Sequence, residues 1–204
     1  MLADSPTPGK KTPPVRITLP DGSVVRSDQP DCDQILSQAL QREARLDAIP
    51  PATATAEEYW PDIEGLDHRD TVTDFGPPKG TFFDTAVVHL LTTATLDRLR
   101  TLYPAGRFEV RRFRPNIVIE PVSDAKDFVE NGWVGRVLSI GETVRLSVTS
   151  PCARCVMTTL AQGDLPKDTG ILRAAAQHNS ANVGIYASVL QGGKIRRGSS
   201  IRLE

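Results

Sequence analysis

The sequence predicts a mainly β protein with some α-helix. The second half of the chain contains short runs rich in Val, Ile, Ser and Thr, and Gly, Asn, Asp or Pro turns separate these runs, as in an all-β barrel or sandwich. Only a few stretches place apolar residues at helical spacing. With 204 residues and 39% hydrophobic content, the chain can bury the core of one domain, or of one domain with an appendage.

Composition and charge narrow the class of protein further. The chain has 24 Lys and Arg residues against 25 acidic residues, so no global basic field favours nucleic acid or an anionic membrane as a partner. No apolar run approaches the roughly 20 residues of a membrane span, and the first residues lack the apolar centre of a signal peptide. Three cysteines are few for a secreted disulfide framework. We therefore expect a cytoplasmic protein with reduced thiols.

The N-terminal part of the chain divides into three segments. Residues 1–14 contain four prolines and no apolar periodicity, which predicts a flexible leader. Residues 15–46 contain two β-branched runs around a Pro-Asp-Gly turn, followed by apolar residues at helical spacing, and predict a hairpin and a helix. Residues 47–80 are rich in Pro, Gly, Thr and acidic side chains, and we interpret them as a connecting loop.

Residues 81–204 form the main predicted domain. It begins with a buried strand candidate, FFDTAVVHLLT, and a helix, TATLDRLRTLY, with Thr93 or Thr95 as the expected N-cap. A second helix is predicted at DTGILRAAAQHN, and the remaining strand candidates are RRFRPNIVIE, RVLSIGETVRLSVTS, NVGIYASVL and SSIRLE. We interpret His89 and Trp133 as packing residues. The sequence contains no internal repeat, G-x-G-x-x-G or Walker A motif.

The pattern Cys152-Ala153-Arg154-Cys155 has four possible interpretations. A structural zinc site needs four ligands, and the remaining cysteine and histidines are not paired at ligand spacing. A thioredoxin-like pair would open a helix, whereas VMTTL continues in β-branched residues. Alternatively, the two cysteines fill a core as small hydrophobic side chains. The fourth interpretation is a thiolate ligand for a soft metal, beside an arginine that stabilises the thiolate and offers a planar fork to phosphate.

A second group of cations lies in the segment EVRRFRPNIVIE. If this segment is an extended strand, Arg112 and Arg114 share one face, opposite Arg111. Pro115 favours extended backbone at the residue before it, and Asn116 adds donors and an acceptor within reach of the same ligand. Taken alone, the group fits a solvated basic strand face as well as it fits an anion site.

The motifs FRPNIVI and PCARCVMTT, in a β-rich chain ending GIYASVLQGGKIRRGSSIRL, resemble the MOSC family, named for the C-terminal domain of molybdenum cofactor sulfurase. The similarity covers roughly residues 81–204. It implies a MOSC-type β-barrel with a few flanking helices, and the molybdenum cofactor, a pterin dithiolene with a phosphate tail, as the ligand. Cys155 matches the family cysteine that ligates molybdenum or receives sulfur, and Cys152 is expected to lie behind it. The expected cofactor-binding residues are Arg112, Arg114, Asn116, Ala153, Arg154 and Cys155.

Two departures from the family pattern lead to further expectations. Family members usually carry an N-terminal β-barrel domain that opens with a Y-P-V-K-S-like segment, and this sequence contains no such segment. Residues 15–46 resemble the end of that domain, so we expect the remnant of an N-terminal companion domain. The segment TTLAQGDLPKDTG is five residues longer than the family's T-T-V-D-P-D-T-G. Because this insertion follows the cysteine directly, we expect it to shape the substrate mouth.

The resemblance implies an oxidoreductase. We expect reduction of N-hydroxylated or related N-oxygenated small molecules, with Cys155 as the catalytic metal ligand. The electrons would come from a separate protein, because the sequence shows no flavin, haem or iron–sulfur ligation pattern of its own. Two alternatives stay open. One is a sulfur carrier or sulfurtransferase that uses a Cys155 persulfide, and the other is a non-catalytic cofactor-binding fragment.

Overall fold

The computed structural model describes residues 13–50, 52, 55–60, 70–83, 85–122 and 125–204. The chain forms two compact units. One comprises Met1–Thr55 with Lys79–Phe82, and the other comprises Ala56–Pro78 with Phe83–Glu204. None of the helices in the described ranges has the length and apolar character needed to cross a membrane.

The smaller unit contains a hairpin and a helix. Strands Arg16–Thr18 (β1) and Val24–Arg26 (β2) pair antiparallel across the Pro-Asp-Gly turn. Helix Cys32–Leu40 (α1) follows them. Both elements occur where the sequence predicts them, because Gly22 supplies the positive φ of 85° that the turn needs and Ile35, among others, continues the apolar spacing of the helix.

The larger unit is built mainly from strands. In chain order its described strands are Ala56–Trp60 (β3), Thr71–Phe75 (β4), Val88–Thr92 (β5), Ile117–Ile119 (β6), Val137–Ile140 (β7), Val144–Ala153 (β8), Asn182–Gln191 (β9) and Ile201–Leu203 (β10). Its described α-helices are Thr93–Leu102 (α2), Val110–Phe113 (α3) and Gly170–Asn179 (α4). Short 3-10 turns occur at Val129–Trp133 and Val156–Thr159.

Six of these strands form one curled sheet in the order β10-β7-β8-β9-β5-β6, and β3 pairs separately with β4. All neighbours in the six-stranded sheet are antiparallel except β5 and β6, which are parallel. The register between β8 and β9 shifts at three places, the last of them between Pro151 and Ala153, next to the cysteine segment. The fold is therefore mostly β with some helices, which confirms the predicted fold class.

Two buried clusters form the core of the larger unit. One lies along the sheet and includes Leu90, Leu146 and Ile185, and Trp133 packs against it. The other joins β5 and β9 to the helices α2, α3 and α4 and includes Leu99 and Ile171. The second cluster fixes α3 against the sheet, and α3 carries the arginine segment.

The predicted N-cap of α2 is wrong. Thr92, rather than Thr93 or Thr95, caps the helix, and its side-chain oxygen accepts from the Thr95 N–H at 3.1 Å. The hydroxyls of Thr92 and Thr95 also donate to the buried carboxylate of Glu130, each at 2.7 Å. Thr92 is the last residue of β5, so the strand leads into the helix without a loop, and the two neighbouring threonines lie inside the helix.

Residues 47–80 are not simply the expected connecting loop. The strands β3 and β4 pair antiparallel within this segment, with Ala56 opposite Phe75 and Trp60 opposite Thr71. Each strand has only five residues, and the Pro, Gly and acidic residues around them hide the β-branched and aromatic run from a composition-based interpretation.

The segment RRFRPNIVIE does not form a single strand either. Val110–Phe113 forms one helical turn, and Arg114 ends it in the left-handed conformation with φ 52°. The prediction that Arg112 and Arg114 share a face of an extended strand is therefore wrong. Pro115 explains the break, since proline disfavours right-handed helical backbone at the residue before it and has no N–H to continue the helix.

Candidate active site

A cavity of about 880 Å³ opens beside the end of β8 in the larger unit. The structure brings five of the six expected cofactor-binding residues to its wall, and Asn116 is not one of them. The five are Arg112, Arg114, Ala153, Arg154 and Cys155. Residues far apart in the chain therefore meet at one place, because the turn after α3 and the segment after β8 lie side by side.

The two cysteines of the motif point in different directions. Cys152 lies in β8 and is fully buried, whereas Cys155 is exposed and lines the cavity. An odd spacing along extended backbone places side chains on opposite faces, and Cys155 has extended φ and ψ of −109° and −176°. The two thiols are both free, one fully buried and the other exposed, so they lie in different environments.

Arg154 lies between the cysteines, and its guanidinium is held by the protein on two sides. Nη1 donates to the Cys152 sulfur at 2.7 Å, and Nη2 donates to the Phe113 carbonyl at 3.0 Å. Its backbone N–H donates to the Ala181 carbonyl at 2.9 Å. The buried Nε has no hydrogen-bond partner within the described structure. One donor of this side chain is therefore left for a ligand.

Arg112 has a different environment from the one the sequence suggests. It is only 1% exposed, and its guanidinium donates exclusively to main-chain carbonyls among the described residues. The acceptors are the carbonyls of Arg107 at 2.9 Å, Thr158 at 3.2 Å, Leu160 at 3.3 Å and Pro166 at 2.8 Å. Three of these carbonyls belong to the segment after Cys155. Arg112 thus fixes the wall of the cavity and has no donor nitrogen without a carbonyl partner.

Arg114 presents an exposed guanidinium to the cavity. Its side chain is exposed, lines the cavity, and has no hydrogen-bond or ion-pair partner in the described part of the chain. Its left-handed backbone at the end of α3 directs the chain toward Pro115, so the arginine stands at a sharp turn. An exposed guanidinium of this kind can bind a phosphate or another planar anion.

His89 lies beneath the arginines as a buried, uncharged residue. It is 6% exposed, and its Nε2 lies 3.1 Å from the Val183 carbonyl, which makes Nε2 the donor in the neutral ring. Burial, followed by the positive charge of Arg154, lowers the pKa of His89 to about 4. This environment agrees with its interpretation as a packing residue.

The sequence analysis did not assign a role to Tyr186, although the quoted GIY motif contains it. This residue of β9 lines the cavity, and its ring packs edge-on against His89 with centroids 5.8 Å apart. Its hydroxyl interacts with Cys152 and Thr85. Burial raises the pKa of Tyr186 to about 12, with a further contribution from Cys152. The alternation of side chains along β9 was the available signal, since it places Tyr186 one residue from the buried Ile185 and Ala187.

The insertion after Cys155 forms one side of the cavity. Leu160, Ala161 and Gln162 line it, and Leu165 is buried at 1% exposure. Asp164 forms ion pairs with Arg111 and Arg107, which lower the pKa of its carboxyl group. The insertion is held from inside by Arg112 and from outside by Asp164. Its position agrees with the expectation that it shapes the mouth of the site.

The chain belongs to the MOSC family, because the model of the MOSC domain matches residues 77–202. This match confirms the resemblance found from the motifs, and MOSC domains are associated with the molybdenum cofactor. Among solved structures the chain is similar to YiiM from Geobacillus stearothermophilus, with 19% identity and a TM-score of 0.42 over 58% of this chain and 54% of that chain. The chain thus spans about half the length of that protein. No curated protein matches it.

The residues at the cavity fit this cofactor in the chemistry they offer. Cys155 supplies one soft ligand, and within the described residues no group of three or more His, Cys, Asp or Glu side chains is placed to hold a metal ion. A single thiolate suits a metal that arrives with its own sulfur ligands. Arg114 and the unpaired Nε of Arg154 supply donors for an anionic or carbonyl group.

Proposed function

We propose that this protein binds the molybdenum cofactor in the cavity beside Cys155 and reduces N-hydroxylated or related N-oxygenated small molecules. The observation that supports this most strongly is the meeting of an exposed thiol and two guanidinium groups, from Arg114 and Arg154, at one cavity of about 880 Å³. A soft metal ligand and cationic partners for a phosphate are the two things that this cofactor requires of a protein.

Each residue has a separate task in this proposal. The sulfur of Cys155 ligates the metal, Arg114 pairs with the phosphate tail, and Nε of Arg154 donates to the pterin. Once bound, the cofactor would supply a redox-active metal with open positions for an oxygenated substrate. The protein orients the substrate next to that centre.

Part of the cavity lining favours a small organic substrate. Phe75, Met157 and Leu160 line the cavity together with the arginines, and Met157 is 54% exposed. Apolar side chains of this kind exclude water from a bound organic molecule. We propose a separate protein as the electron donor.

Metal content tests the cofactor proposal directly. The full chain is purified from a host that makes the cofactor, and molybdenum is measured by elemental analysis in the wild type, Cys155→Ala and Arg114→Ala. We expect near-stoichiometric molybdenum in the wild type and at least about a tenfold loss in each variant. The matched controls are Cys32→Ala and Arg197→Ala, which remove the same residue types outside the cavity and should retain the metal. A metal-free wild type contradicts the proposal.

Turnover tests the reaction. Cofactor-loaded protein is given a benzamidoxime-type substrate and a competent electron donor, and the amidine product is measured. If the loaded wild type retains its metal but produces no amidine, the reductase activity is contradicted. The protein would then be a non-catalytic cofactor-binding protein.

A sulfur carrier is the second candidate, because the Cys155 thiol is exposed while Cys152 is turned into the core. Mass spectrometry after treatment with a polysulfide, which passes one neutral sulfur atom to the thiolate and leaves as a polysulfide shorter by one sulfur, would then show one added sulfur atom on Cys155. This candidate requires that the added mass be lost in Cys155→Ser and that the wild type bind no molybdenum. A persulfide in a protein that also retains molybdenum would favour the cofactor proposal instead.

A further inference from the structure

Cys152 is the cysteine of the motif that the proposed function leaves without a task. It is 0% exposed, so it cannot reach a ligand in the cavity. Its sulfur is nevertheless not in a purely apolar environment. Nη1 of Arg154 lies 2.7 Å from the sulfur, and the Tyr186 hydroxyl also interacts with it.

We infer that Cys152 is a positioning residue whose sulfur accepts a hydrogen bond from Arg154 and thereby holds the Arg154 guanidinium at the cavity wall. The role of Arg154 toward the pterin rests on the proposed function. The orientation of Arg154 does not, since the contacts within the protein define it.

The backbone explains why this pair forms. Cys152 and Arg154 stand two residues apart at the end of β8, a spacing that favours the same face of extended backbone, and the contact of Nη1 with the sulfur shows that they share it, while Cys155 is exposed. The Phe113 carbonyl holds the second terminal nitrogen of the guanidinium at 3.0 Å. Because the guanidinium is planar, fixing its two terminal nitrogens also fixes the direction of the unpaired Nε–H.

An acceptor is needed at this position. Without the sulfur, Nη1 of Arg154 would lose its partner in a partly buried environment, and the side chain would gain by turning toward water.

Two conservative substitutions of Cys152 separate this role from simple packing. Cys152→Ser keeps an acceptor but loses volume and apolar character, whereas Cys152→Val fills the space but has no acceptor. If the residue only fills the core, valine is the better replacement. If the sulfur holds Arg154, serine is the better replacement.

The first measurement is independent of any cofactor. ¹⁵N NMR of the full chain follows the Nε–H signal of Arg154, assigned by its disappearance in Arg154→Lys. We expect a dispersed, slowly exchanging signal in the wild type and in Cys152→Ser, and a solvent-averaged signal in Cys152→Val. Thermal unfolding confirms that each variant is folded, and Cys152→Ala serves as a second acceptor-free variant where valine prevents folding.

The matched controls are at Cys32, a buried cysteine of the other compact unit. Cys32→Ser and Cys32→Val should leave the Arg154 signal unchanged.

The second measurement is the molybdenum content of the same variants. We expect about a tenfold loss in Cys152→Val, the usual effect of one charge-assisted hydrogen bond, and retention of at least half in Cys152→Ser. Loss of the Arg154 signal in the serine variant with its retention in the valine variant would overturn the inference, as would equal signals in both. A wild type that shows the ordered Arg154 signal but no molybdenum would refute the proposed function and leave the positioning role standing.

Discussion

The backbone N–H of His89 donates to Oδ1 of Asn116 at 2.7 Å, and the N–H of Asn116 donates back to the His89 carbonyl at 2.9 Å. This reciprocal pair fastens the Arg-Pro-Asn turn to strand β5. The asparagine is therefore engaged with the fold, and Arg114, two residues earlier, is left to face the cavity. The two polar residues of this motif have different tasks, although they were expected to contact the same ligand.

Replacing Asn116 should test this division. Asn116→Ala removes the acceptor for the His89 N–H, and we expect the free energy of unfolding to fall by about 1 kcal/mol, as for the loss of one hydrogen bond. Asn116→Asp keeps an acceptor oxygen and should lose less than half as much. Urea unfolding measures both. Equal losses in the two variants would show that this hydrogen bond does not stabilise the turn.

Arg112 and Arg111 are adjacent arginines that should respond very differently to the same change. Arg112→Met leaves several main-chain carbonyls without a donor, so we expect the free energy of unfolding to fall by about 3 kcal/mol. Arg111 is exposed and pairs with Glu109 and Asp164, and Arg111→Met should have a much smaller effect. Urea unfolding of both variants makes the comparison. Similar losses would mean that the carbonyl contacts of Arg112 contribute little.

Gly184 and Gly135 both have positive φ, of 86° and 83°, but differ in the space around them. A Cβ on Gly184 would lie 2.4 Å from the Leu90 carbonyl oxygen and 2.5 Å from Nε2 of His89, whereas one on Gly135 would meet no atom within 4 Å. Gly135→Ala should therefore cost about 1–2 kcal/mol from backbone strain alone. Gly184→Ala should cost about 2 kcal/mol more, because β9 must move away from β5. Thermal unfolding of the pair isolates the contact from the strain, and equal melting temperatures would contradict this prediction.

Acid should destabilise the protein through His89. Its pKa in the folded state is about 4, below the ordinary value of 6.5. Above pH 6.5 the residue is neutral in both states and contributes no pH dependence. As the pH falls from 6.5 to 4, only the unfolded chain takes up the proton, so stability falls by on the order of 3 kcal/mol, and below pH 4 this slope ends. His89→Gln should lack this decrease when unfolding is followed between pH 7 and pH 4. The same decrease in both proteins would assign it to other groups.

The sequence predicts much of this fold because local patterns and tertiary structure agree in it. The hairpin β1-β2 and the helix α4 carry turn residues and apolar spacing that no distant contact has to override. The segment after β8 is different. Its β-branched VMTTL suggests a strand, but Val156–Thr159 forms a 3-10 turn, and the carbonyls of Thr158 and Leu160 accept from Arg112, more than forty residues away. A contact of that range leaves no local signal in the sequence.

The motifs point to five of the residues that line the cavity, but not to the environment of each one. The motifs bring Cys155, Arg114 and Arg154 into consideration, and the structure places all three at one cavity. The sequence could not distinguish a free arginine from one whose donors are already used, because burial and partners depend on the packing of α3 against the segment after β8. For Tyr186, the alternation along β9 could have indicated the face of the strand on which the side chain lies, but not that its hydroxyl interacts with Cys152.

The guanidinium of Arg112 holds the segment after Cys155 through main-chain oxygens alone, and every residue type presents the same main-chain oxygen. The hydrogen bonds that attach this segment therefore do not depend on the side chains that the segment carries. Positions such as Met157, Ala161 and Gln162, which face the cavity, can change while the wall remains where it is. A library randomised at these three positions should yield a high proportion of folded proteins, as thermal unfolding would show, so this loop can vary in sequence without losing its position.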